Sequence, residues 1–243
     1  VKKFLVGSFF FAAVSGLVVT CLVTAVVSLG RGEYPTATVV VGIALGFAGV
    51  EAAVILVLCG KVKPRIEVSD RATTIRPDLI ADRLLLWATV AAFVGVATYA
   101  IFAPQGRIDL PLPYGSQRMW TITAIGITLT GIANLWILFR RGGNSFQRLT
   151  PIGFELGQGV SSFRGDWDDV VDIADRRPGK SPPVRATIVV KLKDGRTRTQ
   201  AIDSYTPGGE AMRRFIRYYW INPDRRDELT DGRAIQRLAD YQA

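Results

Sequence analysis

One carboxyl stands in an otherwise uncharged stretch. Glu51 is the only charge in residues 36–60, and it follows Gly42, Gly46 and Gly49. A carboxyl held in hydrocarbon costs a few kcal/mol or more unless it is protonated, paired or hydrated. Three roles fit it. It bonds to a partner helix, it hydrogen-bonds within its own bundle to Asn134 or a Ser/Thr, or it carries protons or ions. A carrier uses several intramembrane ionisable groups, and here there is one, which argues against transport by this chain alone. Glycines three and four residues apart make a smooth strip on which another helix packs closely. Gly42, Gly46, Gly49 and Glu51 are therefore the expected partner-helix surface.

A second group is basic. Lys191, Lys193, Arg196 and Arg198 flank Asp194-Gly195 between two β-rich runs. They serve either as charges that blunt an exposed strand edge or as contacts to anionic phospholipid, at about 1 kcal/mol per basic residue near a charged leaflet. A third group is acidic: Asp166, Asp168, Asp169 and Asp172. Their order lacks the Gly and terminal Glu of a calcium loop, so a solvated strand edge is the expectation.

The remaining chemistry is defined by what is missing. There is no histidine and there are two cysteines, which removes Ser-His and Cys-His nucleophiles and any zinc set. No G-x-x-x-x-G-K-[ST] or G-x-S-x-G motif occurs. No enzyme activity, cofactor or metal is expected. The net charge of +9 needs no nucleic acid to explain it, because the basic residues cluster beside apolar runs.

Those runs are the elements that must position the groups above. The chain has 243 residues, 49% hydrophobic, unevenly placed. Residues 1–139 hold 11 basic and 7 acidic residues, and residues 140–243 hold 19 and 14. Crossing a bilayer core of about 30 Å takes roughly 20 mainly apolar residues. Residues 4–30, 36–60, 84–103 and 119–139 qualify, which predicts four transmembrane helices in a domain spanning 1–143, with a loop over 61–83. The first run is too long for a signal-peptide core and lacks a small-x-small cleavage site, so it reads as a retained anchor. Ten basic residues flank one side of the spans (Lys2, Lys3, Lys61, Lys63, Arg65, Arg71, Arg76, Arg83, Arg140, Arg141) and three the other (Arg31, Arg107, Arg118). The positive-inside rule then places both termini in the cytoplasm at the plasma membrane. Trp87, Tyr99, Tyr114 and Trp120 lie near span ends, where aromatic rings favour the interface. Cys21, about 25 Å along its helix, and Cys59 at a span end are too far apart in depth to bridge.

Residues 144–243 read as a small α+β domain. Strands are expected over Leu149–Leu156, Val160–Arg164 and Trp167–Ile173. After a Pro-rich loop (Arg176–Pro183) comes a hairpin, Thr187–Lys193 and Arg196–Ile202, closed by a two-residue Asp-Gly turn. A helix should start near Thr206 with Pro207 at its first position. Met212, Phe215, Ile216 and Tyr219 give it one apolar face, and Arg213, Arg214 and Arg217 its wet face. Asn222-Pro223 restarts a short turn, and Ile235 with Leu238 marks a last amphipathic segment. The loop sequences "PRIEVSD" and "ATTIRPD" read as two more strands, and Pro64–Asp78 is predicted to pack on the tail.

"LTPIGFEL", the tryptophan of "DWDDVVDI", the "KLKDGR" hairpin and the helix ending "YYW" resemble the bacterial membrane-anchored PH-like family over residues 149–221. That resemblance implies a seven-stranded barrel closed by a helix. "NPDRRDELTDGRAIQRL" resembles the end of four-span actinobacterial membrane proteins, and Arg outnumbers Lys 23 to 7. The whole layout resembles the LucA/LucB type of accessory subunit of mycobacterial Mce lipid-import complexes. This resemblance implies a non-catalytic subunit that stabilises or regulates an ABC-type lipid importer, with its integral membrane permease subunits as partners. The alternative is a stand-alone PH-like protein sensing anionic phospholipid at the inner leaflet.

Overall fold

The computed structural model describes residues 2–110, 116–175 and 185–242. Four long apolar helices are followed by an α+β region with antiparallel sheets and C-terminal helices. The helices are α1 (Lys2–Gly30), α2 (Tyr34–Leu58), α3 (Leu79–Phe102) and α4 (Gln117–Arg141). All four are long and apolar enough to span a membrane, which makes this a multi-pass membrane protein. The chain divides into two units, one of residues 1–53 and 83–141, the other of residues 54–82 and 142–243.

Within the first unit, small residues set the packing. An added Cβ on Gly42 would lie 2.6 Å from the Ala91 carbonyl oxygen and 2.8 Å from the Gly95 Cα. One on Gly49 would lie 2.7 Å from the Ala88 Cβ, and one on Gly46 3.0 Å from the Ala92 Cβ. The backbones of α2 and α3 thus touch along a seam that glycine alone permits. Cys21 and Ala25 of α1 pack on Val40 and Ala44 of α2. Phe93 of α3 sits over Gly131 of α4, where a Cβ would be 2.7 Å from the ring. Cys21 and Cys59 are both free thiols, the first buried and the second exposed.

Helix α3 begins five residues before its uncharged run because a cap, and not the last charge, decides where a helix starts. Asp78 accepts from the backbone N–H groups of Ile80 and Ala81, at 2.8 and 3.1 Å, which satisfies donors the helix leaves open. Asp82 in the first turn suits the positive end of the helix.

In the second unit, β1 (Arg65–Ser69) and β2 (Ala72–Arg76) come from the loop between spans two and three. They join β3 (Ser145–Leu149), β4 (Gly153–Gln158) and β5 (Ser161–Asp166) in one antiparallel sheet ordered β1-β2-β3-β4-β5. The loop expected to pack on the tail contributes two strands to its sheet, with Thr73 opposite Leu149 and Ile75 opposite Gln147. A second sheet holds β6 (Val170–Ala174), β7 (Thr187–Leu192) and β8 (Thr197–Ala201). Residues 176–183 of the expected Pro-rich loop lie outside the described residues.

Three expected strands or turns come out differently. The run Leu149–Leu156 is the end of β3, a bend and most of β4. Pro151 lacks the N–H a ladder needs, and Thr150 N–H instead bonds to the Gly153 carbonyl at 2.8 Å. Trp167–Asp169 is a 3-10 turn and only Val170–Ala174 is strand, because the chain changes sheets there. The hairpin turn is three residues long: Leu192 N–H bonds to the Arg196 carbonyl at 2.9 Å, and Gly195 alone has positive φ (84°). Asp194 keeps ordinary backbone angles while its carboxylate accepts the Arg196 N–H at 2.9 Å.

Helix α5 (Glu210–Ile221) starts after a 3-10 turn over Pro207–Gly209. Gly208 and Gly209 are both left-handed, at φ 66° and 73°, so the helix cannot run through them. Its apolar face is the expected one, with Met212, Phe215, Ile216 and Tyr219 all buried. They meet Ile75, Leu149, Trp167, Ile188 and Ile202 in the main core. Two short helices follow, α6 (Glu228–Asp231) and α7 (Arg233–Asp240). The buried face of α7 is Ala234 and Leu238; Ile235 is exposed.

An ion pair fixes these last helices. Glu228 is buried and takes Arg237 Nε and Nη2 at 2.7 and 2.8 Å, and the Tyr219 hydroxyl at 3.2 Å. The Arg237 hydrogen bonds hold the Glu228 carboxyl below its ordinary range, while burial pushes the Tyr219 phenol up. A carboxyl depressed by folding stabilises the fold above its unfolded value, near pH 4.3 for Glu, and that contribution drains away as pH falls through the folded value. Replacing Arg237 by Ala is expected to cost about 1.5–3 kcal/mol and to flatten the acid limb of stability. Urea midpoints taken between pH 3 and 7 in wild type and variant check both effects.

Candidate functional site

The groups singled out in the spans take definite places. The glycine strip is filled by α3 of the same chain, so Gly42, Gly46 and Gly49 hold the bundle together and are not open to an outside helix. The third span supplies Ala88, Ala92 and Gly95 at complementary positions. Glu51 is half-buried and accepts a hydrogen bond from the Ser15 hydroxyl of α1 at 2.7 Å. Ser15, not Asn134, is its partner inside the bundle. One hydroxyl leaves most of the lone pairs of a carboxylate open.

Asn134 lies on α4, exposed, with no hydrogen bond among the described residues. Its helix is the least covered but one. Only 11% of the α4 span window is buried, against 6% for α1 and 33% for α2. Three threonines of α4 satisfy themselves: the hydroxyls of Thr121, Thr128 and Thr130 bond to carbonyls four residues back at 2.8–2.9 Å.

Between α2, α3 and α4 runs an apolar cleft in two connected parts. One, of about 530 Å³, is lined by Phe47, Ala92, Phe93, Gly131 and Asn134. The other, of about 280 Å³, is lined by Val39, Gly95, Tyr99, Leu110, Trp120 and Thr123. Ile43, Val96 and Ile127 line both. Tyr99 is expected at the membrane interface, yet it is 8% exposed and packs among Val39, Ala103 and Ala124. Its hydroxyl is buried without a hydrogen-bond partner among the described residues. Trp87 and Trp120 are exposed, and Tyr114 lies outside the described residues. Sequence reading missed Ser15 and Gly95, and placed Tyr99 at the interface. Gly95 on α3 was the one with a signal, since it repeats the small-residue spacing of Ala88 and Ala92.

In the second unit the basic hairpin does not form one patch. Arg198 stands opposite Val190, a core residue, and therefore faces inward. Its Nη2 bonds to the Ser161 hydroxyl at 2.9 Å. Arg196 pairs with Asp194, and its guanidinium lies 5.7 Å from the Phe163 ring centre. Lys191 is exposed and in register with Asp172, and Lys193 is exposed in the turn. The expected headgroup contact of Lys191, Lys193, Arg196 and Arg198 is thus divided between two faces and partly neutralised. Of the acidic cluster, Asp168 approaches Arg226 at 3.5 Å. Among the described residues no three metal-ligating side chains converge.

A buried polar network ties the sheets instead. Gln200 Nε2 reaches Ser145 Oγ and the Gly157 carbonyl, both at 3.0 Å, and Gln147 Nε2 bonds to Gln200 Oε1 at 3.2 Å. Asp82 accepts from Arg65 Nη2 and from the Asn144 N–H, both at 2.9 Å. These bonds hold loop and tail together, although the Gln147 Oε1 is buried without a partner among the described residues.

Comparison with known protein families, characterised proteins and solved structures returned no match.

Proposed function

We propose that this multi-pass protein is a non-catalytic accessory subunit that docks, through its spans, on a larger membrane transporter. The observation that carries this reading is the pair Glu51 and Asn134. Both sit on spanning helices: Glu51 is half-buried and accepts one hydrogen bond, from Ser15, and Asn134 is exposed and makes none among the described residues. Polar groups at membrane depth are costly when they face lipid and are stabilised by hydrogen bonds to a neighbouring helix. The thin burial of α1 and α4 leaves room for such a neighbour. The layout of four spans, a two-sheet α+β unit and closing helices supports the reading as a LucA/LucB-like subunit with a PH-like domain. An Mce-type ABC lipid importer in the plasma membrane is then the partner, with both termini cytoplasmic as the basic loops imply.

Glu51→Leu is expected to insert normally yet to recover permease and ATPase chains several-fold less than wild type when a tagged protein is purified in mild detergent. Ser15→Ala, which removes only the internal bond, should keep recovery intact. Full recovery of partners by Glu51→Leu would overturn the proposal.

A further inference from the structure

We infer that Arg198 and the Ser161 hydroxyl form a surface site for one phosphate monoester group where β8 crosses β5. Strand β8 runs over the ends of three strands of the first sheet. Its Gln200 reaches Ser145 of β3 and the Gly157 carbonyl of β4, and its Arg198 reaches Ser161 of β5. Of the buried and half-buried arginines in the second unit, Arg65, Arg76, Arg213, Arg226 and Arg237 each pair with a carboxylate. Arg198 is half-buried and has no carboxylate partner among the described residues. Its Nη2 bonds to the neutral Ser161 hydroxyl at 2.9 Å, and its Nε is buried without a partner. A guanidinium drawn partly out of water is stabilised by an opposite charge. The fold supplies that charge at the other positions and leaves this one to an anion from outside.

Access and donor geometry name the anion. Ser161 is exposed, so its bond with Arg198 lies at the surface, while the buried Nε fixes the root of the guanidinium. Such fixing lowers the ordering cost of binding. Nη1 and the second hydrogen of Nη2 make no hydrogen bond among the described residues. The Ser161 hydroxyl has one other bond, to the Gln158 carbonyl at 3.2 Å, and can turn outward as a further donor. A carboxylate is matched by the guanidinium fork alone. A hydroxyl from the facing strand adds a donor from a second side, which suits the tetrahedral oxygens of phosphate. Two residues earlier, Arg196 lies 5.7 Å from the Phe163 ring centre and pairs with Asp194, so it adds a wall more than a charge. A whole leaflet would also have to engage Lys191 on the opposite face. One phosphate needs the crossing point alone.

The site does not rest on the transporter assignment, since it uses no group of the spans. It can be tested on the full-length protein in phosphatidylcholine nanodiscs, prepared without phosphate buffer. Phenylglyoxal modifies accessible arginines, and the rate at each one is read by peptide mass spectrometry. The probes are glycerol 3-phosphate, acetate, and a second set of discs that contain phosphatidic acid. A phosphate ligand is expected to slow modification of Arg198 several-fold and to leave the exposed Arg164 and Arg217 unchanged. Ser161→Ala should raise the ligand concentration needed for protection about tenfold. Arg198→Gln should lose the rise in melting temperature that the ligand gives wild type. Lys191→Gln and Lys193→Gln should alter neither result. Should Arg198→Gln fail to fold, protection of the wild type and its loss in Ser161→Ala carry the test. Protection by glycerol 3-phosphate in plain discs identifies a soluble phosphate compound. Protection only in discs with phosphatidic acid identifies a lipid headgroup. No protection by either, equal protection by acetate, or protection undiminished in Ser161→Ala would overturn the proposal.

Discussion

Residues 144–243, produced without the loop strands, are expected to form an aggregation-prone, poorly cooperative species. Joining residues 62–82 to their N-terminus through a Gly/Ser linker should restore a folded domain. The reason lies in β2. It covers β3 at Thr73, Thr74 and Ile75. Ile75 and Leu149 are both fully buried. The Thr73 hydroxyl donates to the Leu229 carbonyl at 2.6 Å, tying the sheet to α6. Burying one isoleucine contributes about 2–3 kcal/mol, and the hydrogen bond about 1 kcal/mol. With the pairing of the remaining strand residues the loss approaches 5 kcal/mol, the lower end of what keeps a whole domain folded. Removing β2 also leaves β3 as an open edge, a template for intermolecular pairing. Urea unfolding of the two proteins decides the matter. A cooperative transition of native stability in 144–243 alone, with no binding of a hydrophobic dye, would show that the loop strands are dispensable.

The second large effect is expected at the α2–α3 seam. Gly42→Leu should abolish a monodisperse bundle in detergent, Gly42→Ala should lower its melting temperature, and Gly16→Ala should do neither. At Gly42 the neighbouring atoms are backbone: the Ala91 carbonyl at 2.6 Å and Gly95 Cα at 2.8 Å from an added Cβ. Backbone cannot rotate aside as a side chain does, so the helices must separate, at a cost above the roughly 1–3 kcal/mol of ordinary overpacking. A Cβ on Gly16 of α1 meets nothing within 4 Å, so its change should stay within about 0.5 kcal/mol. Size-exclusion profiles and thermal melts of the three proteins provide the comparison. Equal behaviour of Gly42→Leu and Gly16→Ala would mean that the seam does not hold the bundle.

Much of the architecture could be read from the chain because its determinants are local or set by the bilayer. Span length follows from hydrocarbon thickness, and α5 announces itself by Met212, Phe215, Ile216 and Tyr219. What could not be read depends on long-range partners. The period of a strand places Arg198 and Lys191 on opposite faces, but only the first sheet, through Ser161, decides that Arg198 faces in. The glycine strip signals a close helix neighbour without saying that α3 is the one. An aromatic ring near a span end reads as an interface anchor, and Tyr99 differs because Val39 and Ala124 enclose it. Pro151 splits one expected strand into two, a break visible in the residues themselves. The apolar cleft needed three helices at once.

The first sheet has a consequence for synthesis. Its first two strands, β1 and β2, are made before spans three and four, and β3 to β5 after them. Their pairing requires that loop and tail emerge on the same face of the membrane, so the two intervening helices must both cross it or neither. The hairpin must wait beside the bilayer, one edge unpaired, until α4 has been inserted and Ser145 arrives. Completion of the sheet thereby reports that neither of the last two spans has been threaded without the other. A chain with α3 or α4 left outside the bilayer would keep an open β2 edge, the kind of exposed strand that quality-control proteases and holding chaperones capture.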